Sequence, residues 1–124
     1  MSAKVRITVG HIAVQAIFNE TGCSLNILSK LPLTVSFNKW GDEFYFEVPV
    51  METLDETATT DVHVGDIGYW PPGNALAIFF GPTPLSRGKE PVPAGEVNIV
   101  GKITGDATVL RNAIDSIISL EQIS

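Results

Sequence analysis

The chain has 124 residues, 44% of them apolar and 18% charged, which fits one soluble globular domain spanning 1–124 and argues against disorder. Fourteen acids against eight bases give a formal charge of −6. That balance disfavours nucleic acid or an anionic membrane as partner, because phosphate recognition needs clustered Lys and Arg.

From the N-terminus, Val5, Ile7 and Val9 alternate with Arg6 and Thr8. After Gly10 and His11, Ile12, Val14, Ala16 and Phe18 repeat the pattern, so the two runs read as a hairpin or a bent strand. The opening "MSAKVRITVG" holds no apolar signal region, and no stretch reaches the roughly 18 apolar residues of a membrane span. Leu25, Ile27, Leu28 and Leu31 predict a short helix that stops before Pro32. Leu33, Val35 and Phe37 form one face of a strand, and "NKWGD" is turn chemistry. In the strand that follows, Phe44, Phe46 and Val48 face one way and Glu43, Tyr45 and Glu47 the other.

"METLDETATT" reads as a solvent loop. "DVHVGDIGYW" and "ALAIFF" are short strands on either side of a "PPGN" turn. Leu76, Ile78 and Phe80 share an inward face, and Phe79 points the other way. "GPTPLSRGKEPVPAGE" is a long loop of the kind that often carries function, and "VNIVGKITG" is another strand. At the C-terminus, Val109, Leu110, Ala113, Ile114, Ile117 and Ile118 recur at helical spacing and predict one helix from Asp106 to about Glu121. "SIISLEQI" also satisfies a strand. About eight short strands separated by Gly/Pro turns imply a sandwich or barrel.

Three blocks carry a resemblance: "WGDEFYF" (40–46), "VGDIGYWPPGNALAIFFGPTPLS" (64–86) and "VNIVGKITG" (97–105). In order and spacing they resemble the small prokaryotic cyclophilin-like family, a family without an established activity of its own. The resemblance implies a mainly β fold: a closed eight-stranded cyclophilin-like β-barrel with two short helices. It also implies a helix near 107–113, then a last strand at 116–123 that pairs with the first strand and closes the barrel, removing its open edges.

The candidate chemistry is sparse. Trp40, Glu43 and Tyr45 offer an aromatic wall and a carboxylate, which suits an amine, a peptide N–H or a cation. The alternative for these three is a solvated sheet face with Trp40 packed over a barrel end. Phe79, Thr83 and Ser86 form a second group at the rim of the proline-rich loop, unless that loop only covers the barrel. Asp66 is a turn former. His11, His63 and Cys23 give too few ligands for a metal site, and no cofactor motif occurs. Cys23 is the single cysteine, so no internal disulfide forms, which fits a reducing, cytoplasmic setting.

The resulting expectation is a peptide or small molecule bound in a groove outside the barrel by Trp40, Glu43, Tyr45, Phe79, Thr83 and Ser86. No catalytic residue is assigned. The cyclophilin resemblance makes peptidyl-prolyl isomerisation one alternative. The arginine-centred constellation of true cyclophilins is missing, since Arg6, Arg87 and Arg111 stand outside the matching blocks, and fold likeness alone carries no activity. A structural or assembly subunit is the other alternative.

Overall fold

The computed structural model describes residues 3–123. The alternation at the N-terminus forms a hairpin of β1 (Ala3–Val9) and β2 (Ile12–Phe18), with Gly10 turning at φ +60°. Helix α1 (Gly22–Leu28) follows, and the Thr21 hydroxyl caps it by accepting from the Ser24 N–H at 3.1 Å. Next come β3 (Leu33–Ser36), β4 (Asn38–Lys39), β5 (Glu43–Glu47), β6 (Asp66–Trp70), β7 (Ala75–Phe79) and β8 (Asn98–Ile103). A 3₁₀ helix, Ala107–Asn112, leads into β9 (Ile117–Gln122).

These nine strands make one sheet in the order β3-β9-β1-β2-β8-β6-β7-β5-β4. Its two edge strands, β3 and β4, are neighbours in the chain, separated by Phe37 alone. The sheet therefore curls into a nearly closed barrel. Phe37 fills the seam, its ring 4.3 Å from that of Phe44, which lies 4.7 Å from Phe80. Among the described residues the strand count is nine instead of the expected eight because Asn38 and Lys39, read from the sequence as turn, pair with Tyr45 and Phe44.

The C-terminal residues form a strand and not a continued helix. β9 lies between β3 and β1, pairing Leu120 with Leu33 on one side and with Ile7 on the other. Ile118 and Leu120 are fully buried, whereas Ile117 is half exposed, a period of two. Ile114, which a helical stripe would have buried, is 94% exposed.

The barrel is filled by the inward faces of its strands, among them Ile7, Phe18, Phe44, Ile67, Leu76 and Ile78, all fully buried. Cys23 and Ile27 of α1 and Leu110 of the 3₁₀ helix join this core. Burial pushes the Cys23 thiol up to about 11, so it is a small core residue without thiolate character at neutral pH. Among the described residues no helix is long and apolar enough to cross a membrane.

A second, smaller apolar cluster lies on the other face of the sheet, formed by Val62, Ala77, Phe79 and Val97, with Tyr45, Trp70 and Ile99 packed against it. The segment 48–65 links the two clusters, with Val48 and Val50 in the barrel core and Val62 in the outer one, and is pinned by side chains. Asn98, fully buried, accepts from the Asp55 N–H at 2.8 Å and donates to the Thr53 carbonyl at 2.9 Å. Tyr69 donates its hydroxyl proton to the Val50 carbonyl and accepts from the Glu52 N–H. Thr59 and Val97 exchange backbone hydrogen bonds of 3.0 and 3.1 Å. Gly68 makes room for this layer: a Cβ there would stand 2.7 Å from Val97 Cγ2.

Candidate functional site

The outer face of β5 and β7 carries a cavity of about 270 Å³. Its sheet side follows from the pairing register. Glu43 stands opposite Phe79 and Tyr45 opposite Ala77, so four side chains that alternation throws outward converge. Trp40, in the turn before β5, and Trp70, at the end of β6, contribute further aromatic surface. Ala75 of β7, Pro93 and Ala94 from the end of the long loop, and Val97 just before β8 complete the lining.

Glu43 is the one charged residue in that lining. It is 7% exposed, and its Oε1 is buried without a hydrogen-bond partner. Burial pushes its carboxyl up to about 8, with no compensating donor or positive charge beside it. Most of the population therefore carries a proton at neutral pH, and the group is poised to lose it within one or two pH units. A buried polar group without a partner costs roughly 1–3 kcal/mol, and such groups concentrate where a site is built for something else.

The turn that carries Trp40 is held on three sides. The Trp40 N–H donates to the Glu43 carbonyl at 2.9 Å. The Asp42 N–H donates to the Pro82 carbonyl, and the Phe80 N–H to the Asp42 carbonyl, both at 2.9 Å. The Asp42 carboxylate accepts from Arg111 Nε at 2.7 Å, tying the turn to the 3₁₀ helix. Gly41 sits at φ +62°, and a Cβ there would lie 2.9 Å from both the Pro82 oxygen and Thr83 Cα. Gly41→Ala is therefore expected to destabilise the fold by roughly 1–2 kcal/mol and to shift the emission of Trp40, measured by urea unfolding followed through tryptophan fluorescence.

Of the residues singled out in the sequence, Trp40, Glu43, Tyr45 and Phe79 come together around this cavity. Thr83 and Ser86 lie outside its lining, because their hydroxyls serve the loop. The Thr83 hydroxyl donates to the Val92 carbonyl at 2.6 Å, and the Ser86 hydroxyl oxygen accepts from the Thr83 N–H at 2.9 Å. Phe79 points out of the barrel as expected, yet it is only 1% exposed, covered by its neighbours in the outer cluster. Asp66 acts in a turn, its carboxylate accepting from the His63 N–H at 2.8 Å. Of the two aromatics that end the same strand, Tyr69 is in the barrel core and Trp70 in the cavity. Ala75 and Ala77 were legible as the alternation partners of Phe79. Pro93 and Ala94 left no signal, since only the path of the loop brings them here, whereas Val97 opens the strand run "VNIVGKITG". Among the described residues no three His, Cys, Asp or Glu side chains converge as a metal site.

A family model described as cyclophilin-like matches residues 3–119. Among solved structures, a hypothetical protein from Archaeoglobus fulgidus, determined in solution, aligns with a TM-score of 0.81 at 30% identity, over 98% of this chain and 95% of that one. No curated protein matches.

Proposed function

The chain belongs to the cyclophilin-like family, and from that premise we propose that it is a binding protein, taking a small molecule or a peptide side chain in the cavity on the outside of its barrel. The observation that carries this reading is Glu43, a buried carboxyl with a partnerless oxygen in the lining of an otherwise apolar and aromatic cavity. Pockets that hold small ligands have this composition: mostly apolar walls and very few polar groups to orient the guest. About 270 Å³ is close to the lower end of such pockets, roughly 300 Å³, which limits the guest to a compact group. The lone cysteine is buried, consistent with work in the cytoplasm.

Isomerase activity draws no comparable support. No arginine lines the cavity; Arg6 is paired with Glu121 and Arg111 with Asp42. An assembly role would draw on exposed aromatic surface, whereas Phe79 is covered and Trp40 and Trp70 are half-buried in the cavity walls.

The test is a panel of small alcohols, amides and ammonium salts titrated into labelled protein, read on the indole N–H signals of Trp40 and Trp70 by nuclear magnetic resonance. Shifts confined to Trp40, Trp70, β5, β7 and residues 93–97 are expected, with dissociation constants near 1 mM, about −4 kcal/mol. They should vanish in Ala77→Phe, which fills the floor, and weaken in Ala94→Phe, an exposed position that crowds the cavity without touching the core. A panel that moves neither indole signal overturns the reading.

A further inference from the structure

We propose that the group bound in this cavity is an organic ammonium, with the carboxylate of Glu43 as its counter-charge and Trp40, Tyr45, Trp70 and Phe79 around it. The inference rests on the reading of the cavity as a ligand pocket and names the chemistry of the guest.

Three observations point to a cation. First, Glu43 is buried with no donor or positive charge directed at it. For an apolar guest, a glutamine or leucine at this position would cost less; a carboxylate is favourable there only when something positive neutralises it. Secondly, four of the lining side chains are aromatic, and ring faces attract desolvated cations, the basis of the cages that hold quaternary ammonium and methylated lysine. Thirdly, the chain carries a formal charge of −6, so its long-range field draws cations in. A divalent metal ion fits poorly, because it requires several oxygen ligands and the lining supplies one carboxylate.

The surroundings of Glu43 leave that role to it alone. On its own strand Tyr45 and the exposed Glu47 share its face, and Asp42, in the turn before the strand, is held by Arg111. β7 presents Ala77 and Phe79, and the loop presents Pro93, Ala94 and Val97. The Lys39 ammonium is directed elsewhere, donating to the Ala113 carbonyl at 3.1 Å. Entry of a permanent cation therefore expels one proton: the neutral carboxylic acid and the free ammonium give a carboxylate–ammonium pair and a proton released to solvent.

The experiment compares choline with its neutral isostere 3,3-dimethylbutan-1-ol by calorimetry and tryptophan fluorescence. At pH 9 choline is expected to bind at least tenfold more tightly. Between pH 6 and 7 its affinity should rise about tenfold, with close to one proton released per choline bound; nearer pH 8 the slope flattens and the release falls to about half a proton, while the affinity of the alcohol stays flat throughout. Glu43→Gln should weaken choline at least tenfold, abolish its pH dependence and leave the alcohol bound, which separates loss of charge from loss of fold. A trimethyllysine peptide tighter than choline assigns the ammonium to a protein side chain; the reverse order assigns it to a free small molecule. If the alcohol equals choline, or choline binds without proton release, the ammonium inference is overturned and the pocket stands. If nothing binds, including every member of the neutral panel, both readings fall.

Discussion

Glu43→Gln is expected to stabilise the folded protein by on the order of 4 kcal/mol at pH 9 and to change it little at pH 5. The sign follows from the direction of the shift. Burial raises the Glu43 carboxyl from 4.5 to about 8, so the folded chain holds this proton more tightly than the unfolded chain does. Below pH 4.5 both states are protonated and the residue imposes no ionisation penalty. From there to about pH 8 the unfolded state ionises first, and the folded state loses stability with every unit of pH; above pH 8 the penalty is complete. Glutamine, neutral and of the same shape, removes it. Urea unfolding of both proteins at pH 5, 7 and 9 gives the measurement, and the quantity to read is the difference between them, which cancels the titration of all other groups. Parallel stabilities across that range would mean that Glu43 ionises freely in the folded state, and the proton coupling argued for the ammonium group would go with it.

Such a penalty at working pH is informative about what the fold is for. Total stability of a domain of this size is on the order of 5–15 kcal/mol, so an isolated buried carboxyl consumes a large share. The rest of the polar interior is satisfied: Asn98, Tyr69 and Asp66 each hold a loop in place. The Glu43 carboxyl, by contrast, has a buried oxygen that bonds to nothing. Local rules are broken most often where a site is built, and here the break coincides with the aromatic cavity.

The sequence revealed the face of the site more readily than its enclosure. Strict alternation over Glu43–Glu47 and Ala75–Phe79 put Glu43, Tyr45 and Phe79 on one side of their strands before any pairing was known. Their meeting depended on the register of β5 against β7, which is a property of the whole sheet. Thr83 and Ser86 stood in the right loop, but their hydroxyls were the nearest partners for its own backbone, a competition that composition cannot resolve. The covering residues Pro93 and Ala94 carry no periodic signal at all. The same limit applied at the two ends of the barrel. Asn38 and Lys39 lack strand propensity and are strand only because β5 lies beside them. At the C-terminus, helical spacing from Val109 to Ile118 competed with β-branched content, and two flanking strands settled the outcome, since β propensity expresses neighbours more than backbone preference.

Removal of residues 116–124 is expected to abolish cooperative folding. β9 is an interior strand, hydrogen-bonded to β1 on one side and to β3 on the other, so its loss uncovers two strand edges at once. The Phe37 N–H also loses its acceptor, the Ser116 carbonyl at 3.0 Å, which loosens the seam where Phe37 stacks on Phe44. Ile118 and Leu120 are fully buried; truncating one such side chain to alanine costs roughly 2–5 kcal/mol. Both losses, together with the opened ladders, exceed what a domain of this size can sustain. A graded series makes the argument quantitative. Ile118→Val should cost about 1 kcal/mol, Leu120→Ala about 3 kcal/mol and Phe44→Ala, at the seam itself, about 4 kcal/mol, all by urea unfolding at pH 6. Ile114→Ala, at an exposed position, should stay within about 0.5 kcal/mol. If the truncated chain instead melts cooperatively with a native circular dichroism spectrum, the barrel does not depend on closure through its last strand, and the outer cavity would then have to be supported by β5, β7 and β6 alone.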